Sequence, residues 1–331
     1  MLSPSKVLLW NLCRLSILVL VFPAMSDALR KALTGVNVAA VTPHRREGHE
    51  PDFGALLDLL DYLASAGARG VALLGSTGEF LHMSYEDRIR LVNLGAKRSR
   101  LPVIAGVAHS TLDGAVELAR QAADAGAAAL LLMPPYFFRY KQDDVKEFFL
   151  RFADGVGDAA PILLYNIPFF TTEITAESSV ELLRTGRFAG IKDSSGSFEY
   201  FSTLKTLLDE KPFTLLIGND VVFTRARSAG AHGVVSGCAC AIPELMLGLD
   251  RAIQASNLPM VELLQGRLAE FIRWLEEFPT PVGVKEATAA RGVKVGPLAV
   301  PLPAAKLRKL DEFREWFRGW VPQIQKETRE A

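Results

Sequence analysis

Four short segments of this chain place reactive or anion-binding groups directly behind apolar runs. In Phe188-Ala189-Gly190-Ile191-Lys192-Asp193-Ser194-Ser195-Gly196 an apolar run delivers an amine and turns at once into small polar residues. This reads as a strand ending in a loop, with Lys192 at the strand's C-terminal tip. An amine held there and shielded from water can shed its proton and attack a carbonyl. Taken alone, a lysine is more commonly a solvated surface charge, so the neighbouring segments decide.

The second segment is Gly75-Ser76-Thr77-Gly78-Glu79. Its glycines allow close backbone approach, and free N–H groups with two hydroxyls could bind a small carboxylate; a tight turn that merely uses Gly and Ser fits equally well. The third, Leu164-Tyr165-Asn166-Ile167-Pro168, sets a phenol at another strand end. It could shuttle protons, or be a core tyrosine with a satisfied hydroxyl. The fourth, Met133-Pro134-Pro135-Tyr136-Phe137-Phe138-Arg139, is aromatic and proline-rich, suited to lining a pocket or a subunit contact.

The elements that must position these segments repeat. Three times a helical pattern ends in Ala-Gly-Ala and runs into an apolar strand, at Ala66-Gly67-Ala68, Ala125-Gly126-Ala127 and Ala229-Gly230-Ala231. Glycine just past a helix takes the left-handed conformation that a side chain makes costly, so each motif marks the αβ half of a βαβ unit. Short continuous apolar runs predict eight strands buried on both faces, at 36–41, 71–74, 103–105, 129–133, 162–165, 190–192, 215–218 and 234–236. Phe53, Leu56, Leu57, Leu60 and Leu63 mark an amphipathic helix with Asp52 as its N-cap, and Ser84-Tyr85-Glu86-Asp87 opens the next. Eight such alternations close into a (β/α)₈ TIM barrel, an α/β fold whose chemistry sits at the strands' C-terminal ends. An open doubly wound sheet usually has fewer strands and often a glycine fingerprint after the first, which is absent here. We expect the barrel over 33–257, an N-terminal extension over 1–32 and a C-terminal helical region over 258–331. The latter comprises helices near 260–278 and 303–325, and the apolar stripe on the second of them is assigned to packing or subunit contact.

Composition narrows the classes. Hydrophobic residues make up 49% of the 331, enough for a large core, and the 37 basic residues are balanced by 37 acidic ones. That leaves no basic field for nucleic acid. Cys13, Cys238 and Cys240 are too few for a disulfide framework; the latter two are expected to alternate at a strand end as small buried residues. His44, His49, His82, His109 and His232 show no local ligand spacing, so no metal site is expected. Leu15–Val21, with Lys6 and Arg14 upstream, is signal-like and too short for a comfortable membrane span. Three readings stand for 1–24: an upstream start preceding an ordinary one at Met25, a secretion signal, or a membrane-associated helix. The expected location is cytoplasmic unless the signal is real.

Taken together, the four loops follow strands two, four, five and six and share one face. Gly-Ser-Thr-Gly-Glu, Tyr-Asn-Ile-Pro and Gly-Ile-Lys-Asp-Ser-Ser-Gly, with Gly230-Ala231-His232-Gly233-Val234-Val235-Ser236-Gly237, resemble the motifs of the dihydrodipicolinate synthase / N-acetylneuraminate lyase family of pyruvate-dependent class I aldolases, from about Gly35 to Leu302. The resemblance implies that Lys192 forms a Schiff base with a 2-oxo acid, that Tyr165 is the acid/base, and that Ser76 and Thr77 hold the carboxylate, with Ser76 also in a proton relay. Gly75 would support that binding loop, Val235 would border the keto acid, and Tyr136 would line the substrate pocket. It further implies no cofactor beyond the lysine, an aldehyde as second substrate, and a homotetramer built as a dimer of dimers.

Two departures bear on the substrate. The lysine-biosynthetic branch of the family has an arginine two residues after the proline of Tyr-Asn-x-Pro, and a second tyrosine lent across a dimer interface; here these positions are Phe170 and Phe137. Arg139, also in this region, reads as structural or interfacial, the alternative being that it binds an acidic group of the substrate. The expectation is therefore a lyase acting on a pyruvate-type 2-oxo acid and an aldehyde, with a 2-keto-3-deoxy sugar acid as one candidate. The alternatives are a true 4-hydroxy-tetrahydrodipicolinate synthase, a sugar-acid dehydratase, and a non-catalytic pyruvate-binding sensor.

Overall fold

The structure, a computed structural model, describes residues 27–45 and 50–329. Cys13, His49 and the signal-like segment lie outside the described residues. Eight strands, β1 (Gly35–Ala39), β2 (Gly70–Leu73), β3 (Val103–Gly106), β4 (Ala129–Leu132), β5 (Ile162–Asn166), β6 (Gly190–Asp193), β7 (Thr214–Ile217) and β8 (Gly233–Ser236), pair in parallel and in chain order, and β1 closes on β8. This is the expected (β/α)₈ barrel, with each strand within two residues of its expected place. Every strand residue is buried, as the apolar runs require when side chains fill the interior and helices cover the outside.

The helical layer follows from the amphipathic patterns: α1 (Asp27–Leu33), α2 (Phe53–Ala66), α3 (Tyr85–Arg98), α4 (Leu112–Asp124), α5 (Gln142–Val156), α6 (Ala176–Arg184), α7 (Phe198–Glu210) and α8 (Phe223–Ser228). The Asp52 carboxylate accepts from the Ala55 N–H at 3.1 Å and the Ser84 hydroxyl oxygen accepts from Asp87 N–H at 3.1 Å, the two N-caps read from sequence. Gly67, Gly126 and Gly230 of the three Ala-Gly-Ala motifs all have positive φ, at 96°, 90° and 105°. The repeat is thus one turn used three times to pass from helix to strand.

After β8 the chain is helical: α9 (Cys238–Ala241), α10 (Pro243–Gln254), α11 (Leu258–Leu275), α12 (Val282–Ala290) and α13 (Ala304–Glu327). Cys238 and Cys240 therefore lie on a helical turn rather than at a strand end, because β8 stops at Ser236; both are buried free thiols. The stripe on α13 is core, with Phe313, Phe317 and Trp320 packed against Phe271 of α11. The helix expected over 260–278 ends three residues early and is followed by α12, which short-range periodicity did not separate from its neighbours. Among the described residues, no helix is long and apolar enough to cross a membrane.

Candidate active site

Register explains why two of the proposed catalytic side chains meet. Strands β5 and β6 pair Tyr165 with Lys192 and Asn166 with Asp193. Successive strand residues point to opposite faces, so the phenol and amine share one face and the amide and carboxylate share the other. The second pair is structural. Asn166 Nδ2 donates to Asp193 Oδ1 at 2.8 Å, and Asn166 Oδ1 accepts from the Ile174 N–H at 3.1 Å. Asp193 also accepts from the Ser195 N–H and hydroxyl, at 3.0 and 2.8 Å. Burial nevertheless raises its carboxyl above the ordinary aspartate value.

On the inner face Lys192 is only 3% exposed, and its Nζ lies 4.1 Å from the centroid of the Tyr165 ring. The Tyr165 hydroxyl is 3.3 Å from Ser76 Oγ, so amine, phenol and serine form one chain of neighbours. Two turns fold the loop after β2: Gly78 N–H donates to the Gly75 carbonyl and Glu79 N–H to that of Ser76. The backbone N–H groups of Ser76 and Thr77 meet no protein acceptor among the described residues, which leaves two donors beside two hydroxyls for an anion.

These groups line one cavity of about 460 Å³, in the range of small-molecule sites. Its wall includes Ser76, Thr77, Tyr165, Phe170, Lys192 and Val235, so the fold brings these sequence-predicted residues to one cavity. Gly75 does not reach it; its carbonyl shapes the turn instead. Tyr136 lines an adjoining cavity of about 160 Å³, which shares Ser76, Ile167, Phe170 and Thr280 with the first. There it packs edge-on against Phe80, 5.8 Å between centroids. Arg139 donates to the Thr171 carbonyl, tying the loop after β4 to the loop after β5. Phe137 has a φ of 85° and is 89% exposed.

Several wall residues escaped the sequence reading. Gly218, Asn219 and Asp220 follow β7, and such a cluster looks like any turn. Gly218 is there for space: a Cβ would lie 2.0 Å from Ser194 Oγ and 2.6 Å from Lys192 Cε. Asp220 Oδ2 accepts from the Cys238 N–H at 3.3 Å, while its Oδ1 and the Ser194 Oγ are buried without a hydrogen-bond partner. Burial pushes the Asp220 carboxyl above the ordinary value. Ile272, Leu275, Thr280 and Val284 also line the cavity. The C-terminal region, expected only as a helical appendage, thus walls the site through α11, α12 and the link between them. Only the folded path of α11 and α12 over the barrel mouth could reveal this.

Comparison with known proteins agrees with this architecture. The profile of the Dihydrodipicolinate synthetase family matches residues 32–318. A 4-hydroxy-tetrahydrodipicolinate synthase of Methanothrix thermoacetophila is 33% identical over 269 residues, 81% of this chain and 90% of that protein. Among solved structures, the 4-hydroxy-tetrahydrodipicolinate synthase of Methylacidiphilum fumariolicum SolV superposes with a TM-score of 0.79 at 28% identity, covering 89% of this chain and 99% of that one. The wild-type sialic acid aldolase of Ruminococcus gnavus gives 0.80 at 24% identity, covering 90% and 99%, a likeness of fold. With the profile spanning most of the chain and a relative one-third identical along four-fifths of it, this protein is a lyase belonging to the dihydrodipicolinate synthetase family.

Proposed function

We propose that Lys192 forms a Schiff base with a pyruvate-type 2-oxo acid and that the enzyme joins this acid to an aldehyde, or cleaves the product. The observation that carries the reading is the buried amine facing the Tyr165 ring, with the phenol in turn beside Ser76. The amine adds to the keto carbon, and the carbinolamine loses water. The resulting iminium is an electron sink, so C3 loses a proton to give an enamine that attacks the aldehyde carbon; cleavage is the reverse. Tyr165 would move the protons, handing them on through Ser76. The carboxylate would take the free N–H groups and hydroxyls of Ser76 and Thr77, and Val235 would press on the methyl side. The lysine supplies the electron sink, so this chemistry calls on no further cofactor.

The distal wall argues for the partner. Phe169 and Phe170 stand at the mouth, 66% and 55% exposed, and offer no charge to a carboxylate. In the same cavity wall Asp220 Oδ1 and Ser194 Oγ have no protein hydrogen-bond partner, and buried polar atoms in that state are costly unless water or a ligand satisfies them. An aldehyde bearing hydroxyls would do so, which favours a 2-keto-3-deoxy sugar acid as the joined compound. A dehydratase acting on such an acid would use the same lysine. The relatives' names favour a second reading, a true 4-hydroxy-tetrahydrodipicolinate synthase. Turnover of pyruvate with a panel of aldehydes separates them: hydroxyaldehydes should lead, and aspartate semialdehyde as the best partner would overturn the sugar-acid reading.

The exposed pair Phe137 and Phe138, with ring centroids 5.0 Å apart, supports burial against another subunit, in keeping with a homotetramer. A cytoplasmic setting fits free cysteines and a metabolic lyase.

A further inference from the structure

We infer that Lys285, on α12 of the C-terminal region, is a positioning residue for the loop that would grip the substrate carboxylate; this rests on the reading above. Its side chain is 1% exposed, yet its ammonium donates to Glu79 Oε2 at 2.8 Å and lies 3.1 Å from His44 Nδ1. An ammonium can only donate, so His44 accepts at Nδ1. Glu79 is 6% exposed at its side chain, and its Oε1 lies 3.9 Å from His82 Nδ1.

Stability is a poor explanation for this pair. Burying two charges costs solvation that their attraction only partly offsets, and well-packed apolar residues usually serve as well. Its location is a better one. Glu79 closes the segment that carries Ser76 and Thr77, and does so at a φ of 53°; Leu74, just before the segment, has a φ of 57°. Non-glycine residues hold such angles only where surrounding contacts impose them. The segment's own turns, the His82 N–H bond to the Glu79 carbonyl and the Ser76–Tyr165 contact hold part of it, and two further bonds anchor its closing residues. Thr42 Oγ1 donates to the Gly78 carbonyl at 2.6 Å, and Lys285 holds the Glu79 carboxylate. Through His44 the same ammonium reaches the loop after β1. One buried charge therefore ties two barrel loops to α12, on which the residue just before Lys285, Val284, lines the catalytic cavity. Releasing it frees the two N–H donors to drift, while Lys192, on β6, stays where its own strand puts it.

The test compares two ketones of similar size, pyruvate and acetone, which differ in the carboxylate. Each is trapped on Lys192 with borohydride across a concentration series in wild type, Lys285→Met and the double variant Lys285→Met/Glu79→Leu, which removes both charges. Circular dichroism checks that each is folded. The preference for pyruvate over acetone should fall about tenfold or more in both variants, since displacements near 1 Å carry penalties of that order and above. Acetone trapping should stay within about threefold of wild type. A parallel loss with both ketones, or an unchanged preference, would overturn the inference. So would a double variant that does not fold, which would assign the pair to the barrel as a whole. A wild-type protein that traps neither ketone would instead refute the site reading, and this inference with it.

Discussion

Replacing Gly218 with alanine should disable Lys192 without touching a chemical group. The added Cβ would sit 2.6 Å from Lys192 Cε and 2.0 Å from Ser194 Oγ, where ordinary contact begins near 3.4 Å. Gly218 does not have a left-handed φ, so the backbone accepts alanine and the effect is steric. The serine hydroxyl can rotate away. The lysine stem has less freedom, because its amine is held over the Tyr165 ring and its walls are packed. It must move by about 0.8 Å to restore contact, the difference between 2.6 and 3.4 Å. A misplacement of ~1 Å can cost ~10²-fold in rate, and overpacking costs about 1–3 kcal/mol of stability. The assay is the rate of borohydride-trapped adduct formation with pyruvate, alongside urea denaturation. A fall of about 10²-fold with the protein still folded is expected. A rate within about threefold of wild type would refute the claim that the amine's position is set by this glycine.

Tyr165→Phe keeps the ring under the amine but removes the hydroxyl beside Ser76; turnover should fall by about 10²–10⁴-fold, the usual worth of a general acid/base, while trapping at long times still reaches Lys192. Phe170→Arg should shift the aldehyde preference toward aspartate semialdehyde by about 10–100-fold, because a charge-assisted hydrogen bond is worth ~1.5–3 kcal/mol; competition between aldehydes reads this directly. Asp193→Asn should change how stability depends on pH. Burial raises the folded-state value of Asp193 above 3.8, so its contribution is fully present below that value and is lost as pH rises through the folded-state value. Urea denaturation across that window should show wild type losing ground to the variant as pH increases.

Much of this was legible in the chain because the barrel writes its period into the sequence. Each strand is buried on both faces and so reads as a short apolar run, and three glycines with positive φ mark the returns from helix to strand. Lys192 and Tyr165 were legible because each ends such a run, and the pairing of β5 with β6 then brings them together. Asp220 and Gly218 were not, since Gly218 reads as the end of an apolar run and Asn-Asp after a strand is the ordinary composition of a turn; only the clash that a side chain at Gly218 would make and the unpartnered oxygen of Asp220 set them apart. Lys285 was hidden for a different reason. It lies 206 residues from its partner Glu79, and no local pattern marks a lysine that is buried by distant chain. Cys238 and Cys240 were misread because alternation over three residues cannot distinguish a strand end from one turn of helix.

The central claim is that one sheltered amine does the chemistry, and reductive trapping tests it most directly. Wild-type protein incubated with pyruvate and borohydride, then weighed intact and mapped by peptide, should carry one adduct per chain on Lys192, and Lys192→Ala should carry none. An unmodified wild-type chain, or an adduct borne by another lysine such as Lys285, would contradict the account.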